Sequence, residues 1–145
     1  MHILVATDGS DPAHRAVELG ARLAKQLKGL LKIIHVANSD DFTLNYQTDD
    51  YARWQDRTDS DRMNAISEEK LKIARQWTEN LGLSNVQFER QTGDAATSII
   101  DAARRDNVDI IVLGKRGRGR LSGLLLGSVS QKVVSLAPCA VIVVP

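Results

Sequence analysis

Residues 2–12 read HILVATDGSDP, and this stretch decides the fold class. Its first six residues form a short apolar run, as expected for a strand that is buried on both faces of a parallel sheet. A turn at Asp8-Gly9-Ser10 follows, after which Asp11 is placed to cap a helix that has Pro12 at its first position. A buried strand that leads directly into a helix predicts an α/β unit.

The alternation of strand and helix continues along the chain. Apolar runs predict further strands at 31–36, 86–90, 108–113 and 140–144. Helical spacing predicts a first helix that ends with Gly29 in the left-handed conformation, and later helices over 64–81, after Asp94 and over 128–136. This pattern implies a Rossmann-like, five-stranded parallel sheet with helices on both faces and strand order 3-2-1-4-5. In that order a ligand crevice opens at the carboxyl ends of strands 1 and 4.

Size and composition narrow the class of protein. The 145 residues suit one domain over 1–145, and the net charge of +1 gives no general attraction to nucleic acid or to a membrane. The single cysteine cannot form an internal disulfide. There is no apolar run of 18 residues and no signal peptide pattern, so we expect a cytoplasmic protein that does not associate with membranes.

Residues 38–62 interrupt the alternation. The segment is rich in aspartate and holds four of the six aromatic residues: Phe42, Tyr46, Tyr51 and Trp54. We interpret it as a variable surface excursion of loop and short helix. Its aromatic residues leave three roles open, since they could pack on the body of the domain, on a second subunit or on a ligand.

The glycine-rich stretch 114–130, GKRGRGRLSGLLLGSVS, carries the strongest functional signal. It leaves a predicted buried strand and enters a predicted helix. Glycines allow close approach of a ligand to the backbone, and the free amides and dipole of a helix start favour an anion. Four cations precede the helix: Lys115, Arg116, Arg118 and Arg120. These features indicate a phosphate cradle, although an ordinary surface loop with solvated arginines has the same composition.

The spacing of this stretch is specific. It has Gly114, two residues, Gly117, nine residues, Gly127 and then Ser128. In this it resembles the nucleotide-binding type of the universal stress protein family. The similarity covers nearly the whole chain outside 38–62, including segments 3–10, 34–36, 93–94 and 137–139. A Walker A sequence is absent, because no Gly-Lys-Ser/Thr closes the loop.

The resemblance implies which residues hold the ligand: Asp8, Val36, Gly114, Gly117, Gly127, Ser128, Val129 and Ser130. Asp8 would lie beside the adenine and the ribose, and Val36 would contact the adenine through its backbone. Gly114 would let the ribose approach. The remaining residues would hold the phosphates and begin the helix that points at them. The implied ligand is ATP, or AMP or ADP, with Mg²⁺ or Mn²⁺ bridging the phosphates.

Other interpretations of these residues stay open. Asp8 could cap a helix or shape its loop, or it could be a phosphoacceptor, although strand 3 lacks the aspartate that a response regulator needs. The arginines could bind nucleic acid, but four local cations are few for that purpose. The three histidines fall on different elements and predict no metal site. Cys139 precedes an apolar strand and is expected to be a small core residue.

We therefore predict a regulatory adenine-nucleotide-binding protein of the stress response, with no catalytic residues. No general base is evident near the cradle, so at most slow ATP hydrolysis or autophosphorylation is expected. The alternative is an interaction module or regulatory subunit whose surface is switched by nucleotide. The apolar strand 140–144 would be a sheet edge and predicts a homodimer. Valine at Gly127 is expected to block the phosphates and to strain the backbone.

Overall fold

The structure is a computed structural model that describes residues 1–38, 59–115 and 126–145. Strands and helices alternate throughout these ranges. In chain order the elements are β1 His2–Ala6, α1 Asp11–Leu27, β2 Leu30–Ala37, α2 Asp59–Asn80, β3 Val86–Thr92, α3 Ala95–Arg105, β4 Ile110–Gly114, α4 Ser128–Leu136 and β5 Ala140–Val144.

The five strands form one parallel sheet in the order β3-β2-β1-β4-β5. This confirms the predicted order. β1 lies at the centre, where Leu4 pairs with Lys32 of β2 on one side and with Ile111 of β4 on the other. Successive connections leave β1 and β4 in opposite directions, so the crevice between their carboxyl ends is the expected place for a ligand.

Helices cover both faces of the sheet, as predicted. On one face, side chains of α1 and α2 pack with Ile3, Val5 and Ile33 of the strands. On the other face, side chains of α3 and α4 pack with Leu4 and Ile34. The strand side chains alternate between the two clusters because successive residues of a strand point to opposite faces.

The ends of two helices differ from the sequence prediction. Ser10, not Asp11, is the N-cap of α1, because the Ser10 hydroxyl accepts a hydrogen bond from the Ala13 amide at 3.3 Å. The left-handed residue after α1 is Lys28, at φ 49°, not Gly29. The reason for glycine at 29 is space, since a Cβ there would lie 2.6 Å from the Met1 carbonyl oxygen.

α2 begins at Asp59, five residues before the predicted start. The helix therefore reaches into the segment that was interpreted as a surface excursion. Most of that segment, residues 39–58, lies outside the described residues. In the parts of the chain that the structure covers, no helix combines the length and the apolar character needed to cross a membrane.

Candidate functional site

The β1–α1 loop and the end of β4 meet at the carboxyl edge of the sheet. A Cβ on Gly114 would lie 2.8 Å from Pro12 Cβ, 3.0 Å from the Pro12 carbonyl carbon and 3.1 Å from the Ala13 amide nitrogen. Two of these three atoms belong to the backbone of α1 and cannot move aside easily. Glycine at 114 is thus required by helix–strand packing, which is a reason that the sequence analysis did not give.

Side chains of the β1–α1 loop fix its shape. Thr7 Oγ1 accepts a hydrogen bond from the Gly9 amide at 3.2 Å, and Asp8 Oδ1 accepts one from the Ser10 amide at 2.9 Å. Gly9 between them has φ +80°, a conformation that glycine adopts without strain. Asp8 is half-buried. The loop-shaping role considered for Asp8 is therefore present, whether or not its carboxylate also contacts a ligand.

The start of α4 is fastened directly to the end of β4. The Gly127 amide donates to the Lys115 carbonyl at 2.9 Å. The hydroxyl of Ser130, which is 3% exposed, donates to the carbonyls of Gly114 at 2.8 Å and Lys115 at 3.2 Å. These bonds close the base of the glycine-rich loop and hold the N-terminus of α4 beside the carboxyl end of β4.

The first turn of α4 presents backbone donors. Gly127 is its N-cap and makes no side-chain cap hydrogen bond. The first intrahelical bond runs from the Gln131 amide to the Gly127 carbonyl, so the amides of Ser128, Val129 and Ser130 have no acceptor within the helix. Ser128 and Val129 are exposed. A helix start of this kind binds anions through its amides and its dipole.

Two polar groups of this turn have partners within the protein, and one expectation about the turn is wrong. The Gly127 amide is bonded to Lys115, so it is not a donor for phosphate. The Ser130 hydroxyl is bonded to two carbonyls, so of its two donors only the backbone amide lacks an acceptor within the helix. Gly127 has φ −68° and ψ 165°, extended angles that any residue adopts. The backbone strain expected for valine at 127 is therefore wrong, and only steric blocking remains.

Val36 lies near the carboxyl end of β2, the strand that pairs with β1. It is half-buried against the core that includes side chains of α3 and α4.

His35, which precedes Val36, is 1% exposed and its Nδ1 lies 2.8 Å from the hydroxyl of Ser67 on α2. The other two histidines have separate contacts. His14 stacks on Trp77 with ring centroids 3.9 Å apart, and His2 Nδ1 lies 3.0 Å from the Asp106 carbonyl oxygen.

The described site residues therefore gather at one edge of the sheet: Asp8, Val36, Gly114, Gly127, Ser128, Val129 and Ser130. The eighth predicted residue, Gly117, lies outside the described residues, as do Arg116, Arg118 and Arg120. Lys115 is described and half-buried, and its amide donates to the Val144 carbonyl at 2.6 Å.

Sequence reasoning missed one cation at this edge. Lys70 of α2 lies across the β1–α1 loop, where a Cβ on Gly9 would be 2.7 Å from Lys70 Cδ and 3.0 Å from Nζ. Lys70 is half-buried. No pattern in the sequence marks this lysine among its neighbours, because its position depends on how α2 packs on the sheet.

The model of the universal stress protein family matches residues 1–145. The chain belongs to the universal stress protein family. Universal stress protein YxiE of Bacillus subtilis (strain 168) is 35% identical over 144 residues, which are 98% of this chain and 97% of the relative. This full-length similarity includes the segment between β2 and α2 that the sequence analysis could not match.

Solved universal stress proteins share the fold. UspA from Lactobacillus plantarum has a TM-score of 0.79 at 26% identity, covering 100% of this chain and 97% of that one. A universal stress protein in complex with cAMP has a TM-score of 0.74 at 22% identity, covering 100% and 97%. The five-stranded arrangement seen here is thus the one found in this family.

Across the described ranges of this universal stress protein, no three His, Cys, Asp or Glu side chains are grouped so that they could hold a metal ion.

Cys139 is half-buried, and burial raises the pKa of its thiol. A raised pKa leaves little thiolate at neutral pH, so this residue is a poor nucleophile.

Proposed function

We propose that this universal stress protein binds an adenine nucleotide, ATP or AMP or ADP, in the crevice between β1 and β4. The observation that carries the proposal is the junction at Ser130, which fixes the N-terminus of α4 beside the end of β4. A rigidly placed set of helix amides is a preorganised anion site. A solved relative in complex with cAMP has the same fold and supports an adenine ligand.

The residues of the crevice fit the parts of such a ligand. The phosphates lie against the amides of Ser128, Val129 and Ser130. Gly117, which is outside the described residues, is included because of its place in the glycine motif. Gly127 has no side chain to obstruct them. The adenine and the ribose lie toward Asp8 and Val36, with Gly114 at the floor. Mg²⁺ or Mn²⁺ accompanies ATP and is held mainly by phosphate oxygens, as is usual for Mg²⁺ with nucleotides.

The proposed role is regulatory, in the response to stress. The chain would act as a cytoplasmic homodimer whose nucleotide state is read by partners, with turnover of ATP no faster than slow hydrolysis or autophosphorylation. Nucleic acid is not part of the proposal, because the net charge is only +1.

Calorimetric titration with ATP tests the site. Ser128→Ala keeps the backbone amide but removes the side-chain hydroxyl, which we propose also donates to a phosphate oxygen, so the affinity is expected to fall about tenfold or more. Gly127→Val is expected to abolish binding by filling the phosphate position. Ser135→Ala, in the last turn of α4, is the matched control and should bind like the wild type. Unchanged affinity in both site variants would show that the ligand does not bind at this helix start.

A further inference from the structure

We propose that Lys70 of α2 belongs to the same nucleotide site and attracts the phosphate charge from the side opposite α4. This inference rests on the proposed function and extends it, because it adds a recognition residue from a helix outside the glycine-rich motif. The observation that supports this inference is the packing of α2 on β2 and over the β1–α1 loop.

The position of α2 is fixed close to the site. Ser67 and His35 are both 1% exposed and their side chains are joined at 2.8 Å, so this turn of α2 lies against the carboxyl half of β2. Lys70 follows Ser67 by three residues and therefore projects from the same side of the helix. The helix also packs against α1 through the stacked rings of Trp77 and His14.

The side chain of Lys70 runs over Gly9. An ideal Cβ on Gly9 would lie 2.7 Å from Lys70 Cδ and 3.0 Å from Nζ, so the lysine stem occupies the space that a side chain at residue 9 would need. The ammonium thus lies at the loop that follows β1. The same loop runs into Pro12 and Ala13, against which Gly114 of β4 packs. Lys70 and the end of β4 therefore flank one short stretch of chain.

The charges of that stretch explain what Lys70 contributes. The loop carries the carboxylates of Asp8 and Asp11, which repel an anionic ligand. The Lys70 ammonium lies over Gly9, which is between Asp8 and Asp11 in the sequence, and its positive charge offsets this repulsion. Lysine acts on phosphate as a compact point charge, and it does so most effectively when partly withdrawn from water, as Lys70 is. The contribution of Lys70 to the binding affinity should therefore increase with the negative charge of the ligand.

Titration of the full-length protein with ATP, AMP and adenosine tests this. Lys70→Met keeps most of the apolar stem and removes the charge. We expect it to weaken ATP binding about tenfold, AMP less, and adenosine less than about twofold. Lys70→Arg, which keeps the charge, should retain most of the ATP affinity. Lys72→Met makes the same charge change at an exposed position of the same helix and should leave all three affinities unchanged.

The outcomes separate the two proposals. A wild-type protein that binds none of the three ligands overturns the proposed function, and this inference with it. A wild type that binds ATP, with Lys70→Met binding it equally well, overturns the role of Lys70 alone. Equal losses for ATP and adenosine, or an equal loss in Lys72→Met, would likewise overturn it, because neither follows the phosphate charge.

Discussion

Gly114 and Gly127 stand in one motif, but different physical requirements place glycine at each position. At Gly114 a side chain would collide with the backbone of α1. At Gly127 the backbone angles suit any residue, so backbone strain does not require glycine there, and under the proposed function the requirement comes from the phosphates. Substitution at the first position should therefore cost stability, whereas substitution at the second should cost binding.

The side chain of Ser130 joins α4 to the end of β4. Ser130→Ala removes the hydrogen bonds to the Gly114 and Lys115 carbonyls in a nearly inaccessible place. We expect the free energy of unfolding to fall by about 1–2 kcal/mol. We also expect nucleotide affinity to fall several-fold, because the helix amides are then less firmly placed. Urea denaturation and calorimetry measure the two effects.

Ser135→Ala is the control for this prediction. Its hydroxyl also donates to a backbone carbonyl, that of Gln131 at 2.9 Å, but it is exposed and lies at the other end of the helix. The unfolding free energy should change by less than about 0.5 kcal/mol. If Ser130→Ala and Ser135→Ala lowered the free energy of unfolding equally, the hydrogen bonds from Ser130 to the end of β4 would not have the stabilising role assigned to them.

At the level of elements, a cluster of charges joins β2, β3 and the end of α3. Lys32 Nζ lies 3.1 Å from Glu89 Oε2 and 2.6 Å from Asp106 Oδ2. Arg105 bonds the same two carboxylates, with Glu89 at 2.6 Å and Asp106 at 2.9 Å. The hydrogen bond from Arg105, followed by that from Lys32, lowers the pKa of Asp106 against the opposing effect of burial. Burial likewise acts to raise the pKa of Glu89, but hydrogen bonds from Arg105, Gln91 and Lys32 lower it overall.

A lowered carboxyl pKa gives stability that depends on pH. Because the folded pKa of Asp106 is below its unfolded value of about 3.9, the ionised form stabilises the fold above that pH, and the stabilisation is lost as the pH falls below it. We predict that Asp106→Asn lowers the unfolding free energy by about 1–2 kcal/mol at pH 7. The difference from wild type should shrink between pH 4 and pH 3, measured by urea denaturation.

Asp101→Asn provides the comparison on the same helix. Its ion pair with Arg104 spans 3.6 Å between side chains that are 66% and 59% exposed. Exposed pairs of this kind contribute little, so its unfolding free energy at pH 7 should match that of the wild type within about 0.5 kcal/mol. A difference for Asp106→Asn that stayed constant down to pH 3 would mean that its charge is not what stabilises the cluster.

At the level of the whole molecule, β5 forms one edge of the sheet and lies next to apolar surface. β5 pairs only with β4 among the described strands, and its residues 141–144 are half-buried. Val134 and Leu136 of the preceding helix are 48% and 53% exposed. An apolar strand edge is a template for pairing with a second copy. The predicted homodimer remains a prediction that this surface makes reasonable.

We predict a dimer at micromolar concentration in sedimentation equilibrium. Ala140→Lys adds a charge at an exposed position of β5 and should weaken the dimer about tenfold or more without loss of fold. Leu30→Lys, at a 47% exposed position of β2, should leave the dimer intact. A wild-type chain that sediments as a monomer would refute the prediction, and equal weakening by both lysines would place the contact elsewhere.

Local patterns were sufficient to predict the architecture. Apolar runs marked the five strands, and helical spacing marked the segments between them. The arrangement that is common for five-stranded sheets of this type, with strand 1 at the centre, then predicted the strand order that is observed. The glycine spacing likewise depends only on neighbours in sequence, and it predicted that the ligand binds at the end of β4. Helix ends were less well predicted, as Ser10 and Lys28 show, because caps compete with equally suitable neighbours.

The tertiary structure alone decided which groups of that edge are available. The Gly127 amide and the Ser130 hydroxyl belong to predicted phosphate-binding residues, but both are bonded to carbonyls at the end of β4 and directly after it. Lys70 was not singled out by the sequence, because its place over Gly9 depends on how α2 packs. A sequence fixes periodicity and spacing, but a hydrogen bond or a charge contact between distant segments depends on distances that exist only once the helices lie on the sheet.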